Sequence, residues 1–220
     1  MKILITGING MVASHLADLL LEKGHEVVGT MRWQEDMSNI QHIKDKIKLV
    51  HMNLNDLSNC IKVIEQERPN AISHLAAESW VIDSFDHPIE SIYVNGIGTL
   101  NLLEAIRIVK EYDSHSWSLN EMGGEEYDPI IHICSSSEVY GLVEEKDVPI
   151  KENQIFNPAN PYACGKVLAD VVARMYYTNY GLKTITTRMF THTSRRRKML
   201  SAEVAFAKQI AQIEKNTNNI

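Results

Sequence analysis

Residues 2–13 read Lys2-Ile3-Leu4-Ile5-Thr6-Gly7-Ile8-Asn9-Gly10-Met11-Val12-Ala13, an aliphatic run that ends in a GxxGxxA turn. The run has the length and composition of a buried strand, and from residue 11 to residue 22 the apolar positions recur at helical spacing. A strand that turns on glycines straight into a helix is the first half of a βαβ unit. Gly7 permits the tight turn, Gly10 lets a pyrophosphate approach the backbone, and Ala13 is small enough for the helix to lie against the strand. The helix N-terminus then offers N–H groups and a positive dipole end to an anion, with Asn9, Met11 and Val12 completing the cradle. Glycines can also serve such a turn alone. The position of this one, after a clean first strand and before an amphipathic helix, favours the cradle.

The same alternation continues outward. Short β-branched runs at 26–30, 47–51, 71–75, 130–134 and 183–190 read as further strands. Helical spacing recurs at 56–66, 89–110, 161–180 and 201–215, and more weakly at 38–45. Strand then helix, repeated, predicts a doubly wound, Rossmann-type α/β fold with a parallel sheet in the order 3-2-1-4-5-6. Residues 1–190 are expected to form the dinucleotide-binding domain and 191–220 to begin a substrate-binding segment. Residues 112–128 are polar, carry Gly123-Gly124 and show neither period, which predicts a surface insertion before the fifth strand.

Composition narrows the function classes. The 22 Lys and Arg against 28 Asp and Glu give a net charge of −6, which argues against general binding to nucleic acid or an anionic membrane. The 44% hydrophobic content excludes a disordered tail or a collagen-like rod. No run approaches the ~20 apolar residues of a membrane span, and Met1-Lys2 leads into Ile3 without the order of a signal peptide, so a cytoplasmic location is expected. Cys60, Cys134 and Cys164 form no CxxC pair and no HExxH is present, so neither a disulfide framework nor a metal site is expected.

Cofactor choice in such a fold is read after the second strand, where an acid would take the ribose 2′-hydroxyl of NAD. Gly29-Thr30-Met31-Arg32-Trp33 has no acid, and the planar fork of Arg32 suits a 2′-phosphate. NADP is therefore expected, with NAD as the alternative and a solvated arginine as the bland reading. Asn53 and Leu54, after the third strand, would lie beside the adenine. Tyr162 and Lys166 stand one helical turn apart, and an ammonium beside a phenol favours the phenolate. Ser135-Ser136-Ser137-Glu138-Val139-Tyr140-Gly141 follows the fifth strand, where a parallel sheet binds its ligands.

The GxxGxxA turn, His74-Leu75-Ala76-Ala77, the SSSEVYG run, the Tyr162/Lys166 pair and Arg188-Met189-Phe190 together resemble the extended short-chain dehydrogenase/reductase family, specifically its nucleotide-sugar-modifying members. Within it the chain is most similar to the GDP-mannose 4,6-dehydratase group. That narrower likeness rests on Arg32, on the Ser-Ser-Glu of the serine run, and on Phe190-Thr191-His192-Thr193 ahead of a basic loop.

The resemblance implies that Tyr162 is the catalytic tyrosine, Lys166 its partner, Ser136 the hydroxyl on the sugar, and Glu138 the base at carbon 5. It implies Leu75, Ala76 and Ala77 beside the cofactor, Ser84 and Ser137 near the sugar, and Thr191, Arg196 and Arg197 on the nucleotide-diphosphate sugar. The implied reaction oxidises the sugar at carbon 4, eliminates water across carbons 5 and 6, and returns hydride to carbon 6. A 4-epimerase, a 4-keto reductase and a non-catalytic dinucleotide-binding relative remain alternatives. The long helices at 89–110 and 161–180 are expected to pair across a homodimer as a four-helix bundle.

Two departures accompany the likeness. The family's Phe-Asn is Phe190-Thr191 here, and its GPRRG-like segment is Ser194-Arg195-Arg196-Arg197-Lys198. That basic run reads as a diphosphate clamp, a solvated loop or a weak polybasic signal. Family members extend further at this end, so the substrate segment is expected to be incomplete.

Overall fold

In the computed structural model, which describes residues 1–115, 127–198 and 201–217, six parallel strands form one sheet in the order β3-β2-β1-β4-β5-β6. They are β1 (Lys2–Thr6), β2 (Glu26–Met31), β3 (Lys48–His51), β4 (Ala71–His74), β5 (Ile130–Ser136) and β6 (Lys183–Met189). This is the doubly wound Rossmann-type arrangement expected from the strand-helix alternation. The order reverses between β1 and β4, so their carboxyl ends flank the crevice where ligands bind in such sheets. The chain divides into two compact units, Met1–Phe190, which contains the whole sheet, and Thr191–Ile220.

Period-two alternation along the strands feeds two cores. Leu4, Val28, Ile72, Ile131 and Ile133 face one side, under α2 (Leu57–Glu67), which ends β3's crossover. On the same side the chain runs through α4 (Pro88–Ile92), a π turn (Tyr93–Ile97) and α5 (Gly98–His115), and returns as α6 (Pro161–Tyr180). Ile5, Ile8 and Val27 face the other side, under α1 (Met11–Glu22). Each fully buried Leu or Ile contributes roughly 1.5–3 kcal/mol.

Several elements differ from the sequence expectation. No helix forms over 38–45: successive turns close from Ile40 N–H to Met37 O, Ile43 to Ile40 and Lys46 to Ile43. That three-residue stride brings Ile40 and Ile43 onto the sheet, which the apolar spacing had suggested a helix would do. The long helix continues past residue 110 to His115, because Asp113 is buried there and pairs with the Arg68 guanidinium. Residues 112–115 thus belong to a helix and not to an insertion, and Tyr127 is buried under Arg68 at 4.9 Å. Trp117, Gly123 and Gly124 lie outside the described residues. A short α3 (Val81–Asp86) was not anticipated.

Within Pro88–Asp113 one 18-residue window reaches a mean hydropathy of 1.2, long and apolar enough for a membrane span. Half of it is buried, and its α5 portion packs on α2 and α6, the place of a core helix covering a sheet face. In the second unit, α7 (Ala202–Thr217) follows a turn at 194–197.

Candidate functional site

The glycine turn closes with Gly10 N–H donating to Gly7 O at 2.9 Å. No side chain caps α1 at Gly10 and no acid stands in its first turn, so the helix end with Asn9, Met11 and Val12 fits an anion such as a pyrophosphate. Gly7 has φ +66°, and a Cβ there would stand 2.8 Å from Ala76 Cα. The turn and the end of β4 are therefore in backbone contact, which sets Leu75, Ala76 and Ala77 along the same crevice.

A hydrogen-bonded core locks that contact. Thr6 Oγ1 accepts from Leu75 N–H and Ala76 N–H, both at 3.0 Å, so its hydrogen goes to His74 Nδ1 at 2.8 Å. Thr99 Oγ1 donates to Asn95 O at 2.6 Å and so accepts from His74 Nε2 at 3.0 Å. This inventory leaves room for neutral imidazole only. Burial, helped by the Lys166 and His132 charges, pushes His74 down to about 3. A depressed histidine stabilises the fold above its unfolded pKa near 6.5, and that stability is lost as pH falls towards 3. Thermal melts should show a loss on the order of 4 kcal/mol across that window. A His74→Gln chain should melt at a temperature much less dependent on pH there; an unchanged pH profile would refute the assignment.

Past the end of β5, Ser137 opens a 3-10 turn, Ser137–Tyr140, with the Ser136 hydroxyl accepting from Glu138 N–H at 3.2 Å. The same hydroxyl faces the Tyr162 phenol and favours its ionised form. Asn160 caps α6 through Ala163 N–H at 2.8 Å, and its Nδ2 donates to Glu138 Oε2 at 3.0 Å. Ser136, Glu138 and Asn160 thus form one hydrogen-bonded group at the first turn of α6, which carries Tyr162. Lys166 is buried on the next turn, donates to Cys134 O at 2.8 Å, and lies 5.9 Å from the centre of the Tyr162 ring.

The expected lowering of the phenol does not occur in the protein alone. Burial pushes Tyr162 up to about 12, against the hydrogen bond from Ser136. Lys166 donates to a backbone carbonyl, and its own burial lowers its pKa. Arg188 braces the cluster from β6. It grips Asp170 on α6 at 2.8 and 3.1 Å, donates to Tyr140 Oη at 2.8 Å and lies over Phe156.

At the end of β2, Arg32 Nε donates to Glu35 at 2.6 Å and Nη1 to Glu78 at 3.1 Å. The expected fork is present but already carries two carboxylates. Asn53 Oδ1 accepts from Asn55 N–H in its own loop, its N–H donates to Asn59 Oδ1 on α2, and Leu54 is buried beside it. Ser84 is buried with its hydroxyl on Val81 O at 2.6 Å, a bond inside α3. Thr191, Arg196 and Arg197 belong to the second unit. There Arg197 pairs with Glu203 at 3.1 Å and donates to His192 O at 2.7 Å.

Sequence reasoning missed Glu35, Glu78, Asn160 and the bracing role of Arg188. Asn160 had a signal, since Asn followed by Pro at a helix start reads as an N-cap. The three long-range contacts had none.

Three comparisons bear on this geometry. A family model described as GDP-mannose 4,6 dehydratase matches residues 4–220. The GDP-mannose 4,6-dehydratase of Yersinia enterocolitica is 36% identical over 205 residues, 89% of this chain and 51% of that relative. This chain therefore spans about half the length of that protein. The solved UDP-glucose 4-epimerase from Brucella ovis, in complex with NAD, is 26% identical with a TM-score of 0.71, over 86% of this chain and 52% of its own. RMD from Pseudomonas aeruginosa, complexed with NADPH, is 25% identical with a TM-score of 0.72, over 98% and 61%. With its glycine turn, six-stranded sheet and SSSEVYG/Tyr162/Lys166 cluster, the chain belongs to the GDP-mannose 4,6-dehydratase family of extended short-chain dehydrogenase/reductase proteins.

Proposed function

We propose that the chain carries the catalytic centre of a nucleotide-sugar 4,6-dehydratase of the GDP-mannose type, dependent on a nicotinamide dinucleotide. The observation that carries this reading is the tie between Glu138 and the start of α6, where Asn160 Nδ2 donates to Glu138 Oε2 beside Tyr162 and the Ser136 hydroxyl accepts from Glu138 N–H. Gly7, Asn9, Gly10, Met11 and Val12 would hold the pyrophosphate, with Asn53, Leu54, Leu75, Ala76, Ala77, Tyr162 and Lys166 along the rest of the dinucleotide. Arg32, the ground for expecting NADP, is engaged by Glu35 and Glu78, so this reading extends to a dinucleotide of either kind.

When bound, the dinucleotide supplies a hydride acceptor and donor, which makes the cycle redox-neutral. Tyr162 removes the proton from the sugar 4-hydroxyl, and Ser136 holds that oxygen. The resulting 4-ketone acidifies the carbon 5 proton, which Glu138 takes. Loss of the 6-hydroxyl as water leaves an enone; a bound dinucleotide would supply at carbon 6 the hydride it had accepted from carbon 4, and with a proton restored at carbon 5 the product is a 4-keto-6-deoxy sugar nucleotide. Lys166, on the same helix face, ties α6 to the end of β5 through the Cys134 carbonyl. Ser84, Ser137, Thr191, Arg196 and Arg197 are proposed to contact the nucleotide-diphosphate sugar.

The α4–α5 and α6 pair is proposed as a homodimer face, supported by the exposed Ile89, Tyr93, Val171 and Tyr177 on those helices. A cytoplasmic setting is consistent with Cys60, Cys134 and Cys164 all being free.

Glu138→Gln tests the assignment. It should lower water elimination by about a hundredfold or more while leaving dinucleotide binding intact. Reduced dinucleotide should accumulate, because oxidation at carbon 4 no longer leads on. Unchanged elimination would remove Glu138 from the mechanism, and a 4-keto reductase would be little affected by the substitution.

A further inference from the structure

We infer that Asn160 is a positioning residue for the elimination step, holding the Glu138 carboxylate by one oxygen and leaving the other to take the carbon 5 proton. The inference rests on the dehydratase reading above and deepens it, from the identity of the base to what aims it. Asn160 precedes Pro161, which pushes its backbone into the extended region, at φ −151° and ψ 163°. It is thereby the N-cap of α6, with Pro161 in the first helical turn.

The turn that carries Glu138 is fixed through its backbone. Ser136 Oγ accepts from Glu138 N–H at 3.2 Å, Gly141 N–H donates to Glu138 O at 3.1 Å, and Asn157 N–H donates to Val139 O at 2.9 Å. At the far end of the turn Arg188 Nη1 donates to Tyr140 Oη at 2.8 Å. A Cβ on Gly141 would fall on the Asn157 carbonyl, so the turn and the approach to Asn160 lie backbone against backbone. None of these bonds reaches the carboxylate. Among the described residues it accepts one hydrogen bond, from Asn160 Nδ2 to Oε2 at 3.0 Å, and Oε1 accepts none.

The Asn160 amide cannot be turned over without losing both partners. Its Oδ1 accepts from Ala163 N–H at 2.8 Å, which only the oxygen can do, and an ionised carboxylate only accepts, so Nδ2 faces Glu138. The cap of α6 thus fixes the donor, and the donor fixes the base. A carboxylate held by one oxygen has lost rotational freedom yet keeps acceptor sites on the other for an incoming proton. Tyr162 stands two residues further along the same helix end, so one rigid element places both the group for the 4-hydroxyl and the group for carbon 5.

Ser and Asp cap helices about as well as Asn, which separates the two duties of this residue. Asn160→Ser keeps an acceptor for Ala163 N–H and removes the amide donor; Asn160→Asp keeps the acceptor and sets a second carboxylate against Glu138. Both should melt close to the parent. Water elimination should fall about tenfold in Asn160→Ser, the worth of one hydrogen bond to a charged group, and about a hundredfold in Asn160→Asp, where like charges meet. The KM for sugar nucleotide and the dinucleotide affinity should stay within about twofold of the parent. Oxidation at carbon 4 does not use Glu138, so reduced dinucleotide should build up during turnover, a signature that a weakened cap alone does not give. Parental elimination in both variants overturns the inference, and so does a loss that follows the melting temperature without that build-up. A second readout needs no turnover: in the isotope-labelled chain, the nuclear magnetic resonance signals of the Asn160 side-chain amide should shift in Glu138→Gln, which removes the charge they donate to. Unmoved signals overturn the inference. A parent that binds dinucleotide and shows the amide shift but eliminates no water overturns the dehydratase reading, and the role in elimination with it.

Discussion

A Tyr162→Phe chain is expected to turn over sugar nucleotide about a thousandfold more slowly than the parent while binding dinucleotide with similar affinity. The phenol stands beside Ser136, whose hydroxyl accepts from Glu138 N–H, so removing it deletes the group proposed to take the 4-hydroxyl proton. The ring remains, and with it the packing near Lys166, 5.9 Å from its centre. A loss in kcat with little change in dinucleotide affinity is the signature of a group needed in the transition state alone. Burial pushes this phenol up to about 12, so the parent's rate should rise with pH through the neutral range as the small phenolate fraction grows. A Tyr162→Phe chain with parental kcat would remove the tyrosine from the chemistry.

Gly7→Ala is expected to weaken dinucleotide binding by about ten- to a hundredfold, the worth of one or two charge-assisted hydrogen bonds. It should also cost about 2–5 kcal/mol of stability, from a left-handed residue with a side chain and from overpacking. The added Cβ would meet Ala76 Cα at 2.8 Å and Ala76 N at 3.1 Å, both backbone atoms that cannot swing aside. Moving Ala76 breaks its bond to Thr6 Oγ1 and disturbs the His74 lock. Calorimetric titration with dinucleotide and a urea melt read the two effects separately. Unchanged affinity would show that the turn is not the cradle.

Much of this architecture was legible because periodicity survives in an all-parallel sheet. Leu4 and Ile5 are neighbours in sequence and face opposite cores, and the glycine turn marks where the first strand becomes the first helix. Tyr162 and Lys166 could be paired from spacing alone, since a helix puts residues four apart on one face. What spacing could not supply was the partner of each group. Lys166 reaches the Cys134 carbonyl, so its charge does little for the phenol in the protein alone.

Glu35 was illegible for a different reason. Nothing in Arg32-Trp33-Gln34-Glu35 announces a left-handed turn at Gln34, yet that turn brings an acid to a strand end that lacks one. The Arg188–Asp170 clamp joins residues from β6 and α6 whose pairing depends on the finished sheet. At 38–45 the apolar triplet spacing was real, and three successive stride-three turns satisfied it without a helix.

The cluster of Ser136, Glu138 and Tyr162 is proposed to remove water from a nucleotide sugar. Its most direct test incubates the purified chain with NAD⁺ or NADP⁺ and a panel of GDP-, UDP-, dTDP- and CDP-hexoses, followed by mass spectrometry. Loss of one water from one sugar nucleotide, abolished in Tyr162→Phe, is the expected result. Intact sugar nucleotides throughout, with dinucleotide still bound, would contradict it and mark the chain as a dinucleotide-binding protein without this chemistry.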